Sequence, residues 1–248
     1  MEMNNEYLFG MHPIMEAIEA GKRIEKVMIK QGLDGAQFHK LLKTLQDSGV
    51  VVQFVPEERL NRVAKGRHQG VVAIISKVEY SSIEKIVEDA LSSDSSPILV
   101  LLDGVSDVRN FGATARSAEF AGAKGIILPA KGGAAVNAEA IKASAGALLR
   151  IPATKVPNLR SAVYYLMESG FQIVAATERG SVSIYDIDFN KPTAIIMGSE
   201  ERGISDSILA IAEYKAKIPQ AGKIGSLNVS VAASVIMFEA LRQKTKGA

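Results

Sequence analysis

Three segments after residue 109 hold the residues best suited to ligand binding and chemistry. They are NFGATAR (110–116), GSEERGIS (198–205) and IPQAGKIGSLNVSVA (218–232). Each segment is rich in Gly, Ser or Asn, which permit tight main-chain turns and offer amide donors to a ligand. We therefore expect the functional site to lie where these three segments come together.

Several other chemistries have little material in this sequence. There is no cysteine, which excludes disulfides, thiolate metal sites and a cysteine nucleophile. The three histidines, His12, His39 and His68, lack HxxxH or HExxH spacing, so we expect no metal site and no serine-histidine triad. Neither GxGxxG nor GxxxxGK[ST] occurs, which argues against a dinucleotide oxidoreductase and a P-loop NTPase.

The composition is that of a globular protein. Of the 248 residues 47% are apolar and 23% are charged, and the length suits one large or two modest domains. No apolar run approaches the ~20 residues that cross a bilayer, and the start of the chain does not resemble a signal peptide. Without cysteines, a reducing cytoplasm is the expected location.

Apolar runs that are typical of strands alternate with helical stretches in this part of the chain. The pattern predicts strands at ILVLLD (98–103), GIILP (125–129), FQIVAA (171–176) and TAIIMG (193–198), alternating with helical stretches such as 158–170. This alternation indicates an α/β domain with a parallel sheet over residues 98–248. Ligands of such sheets bind beyond the carboxyl ends of the strands, where the three segments lie.

The first part of the chain predicts a smaller α/β domain over residues 1–78. Phe38, Leu41, Leu42 and Leu45 have helical spacing, an apolar strand follows, Pro56 opens a short helix, and GVVAIISKV (70–78) is a second strand. An acid-rich, serine-rich stretch at 79–97 is predicted to be a linker containing a short helix.

Positive charge is concentrated in the smaller domain. The net charge of +2 is too small to argue for nucleic-acid binding by itself. Between residues 59 and 77, however, five bases occur without an acid, and they are Arg59, Arg62, Lys65, Arg67 and Lys77. A solvated charged face is the common alternative, but the absence of acids favours contact with a nucleic-acid backbone.

The last helix, from residue 228 to 241, is apolar on nearly every face. A helix of this kind must be buried all round, and a subunit interface is a simple way to bury it.

In this order the three segments resemble motifs 1, 2 and 3 of the SpoU/TrmH family, the S-adenosylmethionine-dependent RNA ribose 2′-O-methyltransferases of the knotted SPOUT class. Upstream, YLFGMHPIMEAI and RHQGVVAII are similar to the L30e-like RNA-binding domain fused to many of these enzymes. The resemblance spans nearly the whole chain and is greatest to the methyltransferases of a guanosine in 23S ribosomal RNA.

The resemblance implies a deep trefoil knot, a homodimer and a site built from specific residues. The implied catalytic residues are Asn110, Arg116, Glu200, Ser226 and Asn228. The implied contacts to S-adenosylmethionine are Thr177, Gly198, Ile218 and Leu227. Arg116 is expected at the ribose hydroxyl, either stabilising the alkoxide or accepting its proton, and Arg59, Arg62, Lys65 and Arg67 are expected to bind RNA.

Each of these residues also has a purely structural interpretation. Asn110 would cap the helix that begins there, and Arg116 would pair with Glu119 on the helix surface. Glu200 would be a loop charge, and Ser226 and Asn228 would be turn and cap residues before the last helix. At the level of function, a transfer-RNA ribose methyltransferase and a non-catalytic RNA-binding assembly factor remain alternatives.

Overall fold

A computed structural model describes residues 7–19, 24–64, 68–75 and 80–246. The chain divides into two compact units, each described by itself below. The smaller unit comprises Met1–Glu79 and Val136–Ala138, and the larger one comprises Tyr80–Ala135 and Glu139–Ala248. Among the described residues, no helix is both long and apolar enough to span a membrane.

The smaller unit is a four-stranded sheet with three helices. Its strands are β1 (Tyr7–Phe9), β2 (Ile24–Lys30), β3 (Val51–Val55) and β4 (Val71–Ile75). Its helices are α1 (Met11–Glu19), α2 (Ala36–Asp47) and α3 (Glu57–Val63). The strand order is β1-β4-β2-β3, in which β4 is antiparallel to β1 and β2, and β2 and β3 are parallel.

The helical spacing predicted for α2 is correct. Phe38, Leu41 and Leu45 are buried and share a core with strands β2 and β4. On the other face of the sheet, α3 buries Leu60 in a separate cluster. Pro56 is the residue before α3 rather than its first residue, since the helix begins at Glu57.

The larger unit is a seven-stranded parallel sheet covered by helices, as the alternating pattern predicts. Its strands are β5 (Ile98–Asp103), β6 (Gly125–Pro129), β7 (Ala153–Val156), β8 (Gln172–Ala176), β9 (Val182–Ser183), β10 (Thr193–Gly198) and β11 (Tyr214–Lys217). The strand order is β7-β6-β5-β10-β8-β11-β9, and every neighbouring pair is parallel.

Within the described residues, the larger unit has six α-helices and two short 3₁₀ helices. The α-helices are α4 (Ile83–Ser93), α5 (Val108–Phe120), α6 (Ala138–Ala143), α7 (Leu159–Glu168), α8 (Asp206–Leu209) and α9 (Val229–Lys246). The 3₁₀ helices are Ala147–Leu149 and Ile184–Asp186. Helix α4 precedes the first strand of the unit, α9 follows the last, and the others lie between strands.

Helix α4 is the short helix predicted within residues 79–97, but this stretch is not a linker. The larger unit begins at Tyr80, and Ile86, Val87 and Ala90 of α4 are buried in its core beside Leu99 of β5. The acids of this stretch occupy the exposed side of an amphipathic helix. Residues 80–97 therefore form the first part of the larger unit.

The parallel arrangement determines where the three functional segments start. Gly198 at the end of β10 lies opposite Asp103 at the end of β5, and β8 and β11 run in the same direction beside them. The loops after these four strands consequently leave from one edge of the sheet, which we call the carboxyl edge.

Helices α5 and α9 pack against each other on one side of the sheet. The Ser234 hydroxyl of α9 donates a hydrogen bond to the Ser117 hydroxyl of α5, at 2.7 Å. Beyond this contact, Phe120, Val231 and Phe238 are 74%, 47% and 40% exposed. The last helix is therefore not buried on every side within a single chain.

Gly112 of α5 allows a close approach of α6. A Cβ atom at this position would lie 2.5 Å from the Ala143 Cβ and 2.8 Å from the Ala140 carbonyl oxygen. Contacts this short do not occur between real atoms, so α6 packs here only because residue 112 has no side chain. The glycine of the first segment thus has a packing role.

Candidate active site

A hydrogen-bonded network joins the three functional segments at the carboxyl edge. Glu200 accepts hydrogen bonds at Oε1 from the side-chain amides of Asn110, at 3.1 Å, and of Asn228. The Asn228 amide also donates to Asn110 Oδ1, at 3.0 Å. Asn110 and Asn228 are 118 positions apart in sequence. The expected convergence of the segments is therefore present in these three side chains.

Asn110 is free to join this network because another residue caps its helix. The Asp107 carboxylate accepts hydrogen bonds from the main-chain N–H groups of Arg109 and Asn110, at 2.8 and 2.9 Å. Asn110 is the third residue of α5, so its interpretation as the helix cap is wrong. An aspartate cap typically stabilises a helix by about 1 kcal/mol.

Asn228 combines a structural and a connecting role. Its Oδ1 accepts hydrogen bonds from the N–H and hydroxyl of Ser230, at 3.0 and 2.6 Å, at the start of α9. Its side-chain amide donates to the network described above. Ser226 is exposed and forms no hydrogen bond with a described residue.

Arg116 lies on α5 outside this network. It is six residues after Asn110, which corresponds to about 9 Å along the helix axis and about 240° around it. Its side chain is exposed and forms no ion pair or hydrogen bond with a described residue. The ion pair between Arg116 and Glu119 that the sequence suggested is also absent. The Glu119 carboxylate instead lies 3.9 Å from the Arg150 guanidinium.

The turn after β8 packs directly on strand β11. The Thr177 N–H donates to the Ala216 carbonyl at 2.8 Å, and a Cβ on Gly180 would lie 2.6 Å from the Ala216 carbonyl carbon. At the end of β10, a Cβ on Gly198 would lie 2.1 Å from the Gly203 carbonyl carbon. These close main-chain approaches explain why glycines occur in both turns.

The loop between β11 and α9 provides free main-chain donors. Residues 220–228 are exposed, and no main-chain N–H from 220 to 227 donates to another described residue. Ile218 and Leu227 lie near the two ends of this loop. A ligand that is recognised through main-chain amides and carbonyls fits such a loop, beside the turns at Thr177 and Gly198.

One residue of the carboxyl edge was not foreseen. Asp103, the last residue of β5, accepts a hydrogen bond at 2.7 Å from the Ser205 N–H and so fixes the end of the second segment. An aspartate at the carboxyl end of a parallel strand is a usable signal for such a role.

In the smaller unit, Arg59 and Arg62 are exposed on α3, whereas Lys65 and Arg67 lie outside the described residues. With Pro56 and Val63, the two arginines line a surface recess of about 630 Å³. Burial and the Arg59 charge lower the pKa of Lys26 below its usual value, which Glu25 partly opposes. Glu58 also lines this recess and Glu57 pairs with Lys30, so bases and acids lie side by side around α3.

His68 has a packing role in this unit. It is buried, its Nδ1 accepts a hydrogen bond at 3.1 Å from the Gly70 N–H, and its Nε2 lies 2.9 Å from Asn61 Oδ1. Both ring nitrogens therefore have a hydrogen-bond partner within this unit. His12 is exposed on α1.

Both parts of the chain match known protein families. Residues 97–238 match the SpoU rRNA Methylase family, and residues 7–81 match the family described as RNA 2′-O ribose methyltransferase substrate binding. The chain is 32% identical over 242 residues to a TrmH family tRNA/rRNA methyltransferase of Staphylococcus haemolyticus, covering 98% of this chain and 97% of the relative.

Solved structures give the same result. The SpoU methyltransferase AviRb from Streptomyces viridochromogenes, in complex with AdoMet, has a TM-score of 0.63 and 26% identity over 97% of this chain and 91% of its own. An AdoMet-bound rRNA methyltransferase from Sinorhizobium meliloti has a TM-score of 0.61 and 29% identity, with 95% and 86% coverage.

The family matches and the AdoMet-bound structural neighbours show that the protein is an RNA methyltransferase that uses S-adenosylmethionine. More narrowly, the chain belongs to the SpoU rRNA methylase family.

Proposed function

We propose that this protein methylates a ribose 2′-hydroxyl of RNA, and that its substrate is a guanosine of 23S ribosomal RNA. The observation that carries the proposal is the Asn110–Glu200–Asn228 network, which brings three distant segments to one edge of the sheet. The match of the smaller unit to the substrate-binding family supports ribose as the acceptor. We also propose that the protein acts in the cytoplasm.

Four residues are proposed to hold the methyl donor, largely through their main chains: Thr177, Gly198, Ile218 and Leu227. The free N–H groups of residues 220–227 and the tight turn at Gly198 support this assignment. When bound, S-adenosylmethionine supplies a methyl group on a positively charged sulfur. We also propose a trefoil knot, which the close crossing of the Thr177–Gly180 turn and β11 supports.

Arg116 is proposed to stabilise the negative charge that develops on the ribose oxygen. A guanidinium remains protonated in ordinary protein surroundings, so this role is chemically easier than that of a base. Asn110, Glu200 and Asn228 fix the loops around the ribose, and Ser226 contributes a hydroxyl from the third segment. No metal or histidine is needed for this chemistry.

The active protein is proposed to be a homodimer. Phe120 of α5 and Phe238 of α9 have ring centroids 5.8 Å apart and are both exposed, and Val231 extends this apolar surface. A second copy of the chain would bury it. Arg116 lies on the same helix as Phe120. In a dimer formed through this surface, Arg116 can therefore reach loops of the partner subunit.

The decisive experiment combines calorimetry with mapping of methylated riboses. We expect the purified protein to bind S-adenosylmethionine, and we expect RNA from cells lacking the protein to lose one 2′-O-methyl group in 23S ribosomal RNA. A lost methyl group in transfer RNA would correct the substrate. Absence of cofactor binding would instead favour a non-catalytic RNA-binding assembly factor and overturn the proposed reaction.

A separate prediction concerns RNA binding by the smaller unit. Changing Arg59 and Arg62 together to Gln is expected to weaken RNA binding and to reduce the slope of log K against log [salt] by about 1 to 2, since each phosphate contact contributes about 0.7 to 0.9. Binding measured at several salt concentrations checks this. The control changes Lys40 and Lys43, two exposed bases of α2. An identical slope in both variants would remove α3 from the RNA-binding surface.

A further inference from the structure

Three exposed bases at the carboxyl edge of the larger unit have no described partner. Arg202 lies in the loop after β10, Lys217 ends β11, and Lys223 lies in the loop that follows. None of their side chains forms an ion pair or hydrogen bond with any residue that the structure describes. The cofactor and catalytic assignments above use none of these side chains.

Bases at the opposite edge of the same sheet behave differently. Three of them lie in the loops just before strands β6, β7 and β10, and each is close to an acid. The pairs are Lys124–Asp94, Arg150–Glu119 and Lys191–Asp188, at 3.8, 3.9 and 3.9 Å. Arg109 at the start of α5 and Arg179 in the turn after β8 are also paired, with Glu139 and Glu178. Lack of an acidic partner is thus a property of Arg202, Lys217 and Lys223 and not of every base near the carboxyl edge.

The acids of the carboxyl edge bind other parts of the protein. Asp103 accepts a hydrogen bond from the Ser205 N–H, Asp107 caps α5, and Glu200 accepts from two asparagines. Glu201 is exposed in the same loop as Arg202 and forms no pair with a described base. The three bases are therefore available to an external anion.

We propose that Arg202, Lys217 and Lys223 form a phosphate-binding rim that holds the RNA backbone on either side of the target nucleotide. This inference rests on the proposed RNA-methylating function and assigns a second RNA contact, in the larger unit. The methyl donor has a single carboxylate, which cannot engage three bases at once on two separate segments, the loop after β10 and the segment that runs from the end of β11. A polynucleotide carries a phosphate at every residue and can engage all of them, which positions the ribose without reading sequence.

The test compares two triple variants of the full-length protein with a transcript of unmodified 23S ribosomal RNA as the probe. Arg202→Gln, Lys217→Gln and Lys223→Gln together are expected to reduce the slope of log K against log [salt] by about 2, at about 0.7 to 0.9 per lost contact. We expect RNA affinity near physiological salt to fall at least about tenfold. The control, Lys85→Gln with Arg150→Gln and Lys191→Gln, removes the same charge elsewhere and is expected to leave the slope unchanged.

Several results would contradict the proposal that these three bases bind RNA phosphates. An unchanged slope in the first variant, or an equal loss in both, would show that these positions do not contact phosphate. A loss of S-adenosylmethionine affinity in calorimetry would make them part of the cofactor site, and a loss of the dimer in sedimentation would make them subunit contacts. If wild-type protein bound RNA but not S-adenosylmethionine, the proposed reaction would fail while the salt slopes still tested the rim.

Discussion

Replacing Arg116 with alanine is expected to lower the rate of methyl transfer at least about 100-fold while leaving the affinity for S-adenosylmethionine unchanged. This is the scale of effect when one preorganised electrostatic group is removed from a developing oxyanion. The side chain is exposed and makes no ion pair or hydrogen bond with a described residue, so its loss removes no observed packing or bonding. Single-turnover kinetics with RNA, together with calorimetry, separate the two quantities.

The matched control for this variant is Arg150→Ala. Arg150 is also an exposed arginine, and it lies before β7 at the other edge of the sheet. Its replacement is expected to leave the rate unchanged. Normal turnover in Arg116→Ala would exclude Arg116 from the mechanism, whatever its position in a dimer.

Glu200→Ala has the second largest expected effect, a loss of at least about tenfold in rate. The substitution removes the acceptor shared by Asn110 and Asn228, so the three segments lose their common contact. In this interpretation, Glu200 acts as a hydrogen-bond acceptor, and its negative charge is not required for the rate. We therefore expect Glu200→Gln, whose amide oxygen accepts both hydrogen bonds, to retain most of the rate.

The adjacent residue provides the control for charge. Glu201 carries the same charge in the same loop but lies outside the network, so Glu201→Ala is expected to act like wild type. The rate and the Michaelis constant for RNA are measured for all three variants. If Glu200→Gln were as impaired as Glu200→Ala, the negative charge rather than the hydrogen-bonded geometry would be responsible.

The convergence of Asn110, Glu200 and Asn228 was predictable because parallel strands direct their following loops to one edge. The strands before the first two segments, β5 and β10, are continuous apolar runs, which are a strong signal for buried parallel strands. The strand before the third segment, β11, contains two lysines and gives no such signal. The short edge strand β9, with two residues, and β7, with four, have no comparable run and were not predicted.

Helix α4 shows how charge can mislead a sequence-based prediction. Its acids and serines suggested a linker, but Ile86, Val87 and Ala90 recur at the spacing of one helical face and pack into the core. The periodicity was therefore the better signal, and composition alone hid it. The position of Arg116 relative to the reacting ribose could not be predicted for another reason, since in the proposed dimer it depends on a partner subunit.

Asn228 contacts both Glu200 and the first turn of α9, so the proposed catalytic network depends on the folding of that turn. Fraying of the first turn of α9 would release the Asn228 side chain, and with it one of the two donors to the carboxylate. Segments of a native protein open locally at different free energies. In the proposed mechanism, opening of this single helical turn is therefore enough to disconnect Asn228 from Asn110 and Glu200 without unfolding of the rest of the chain.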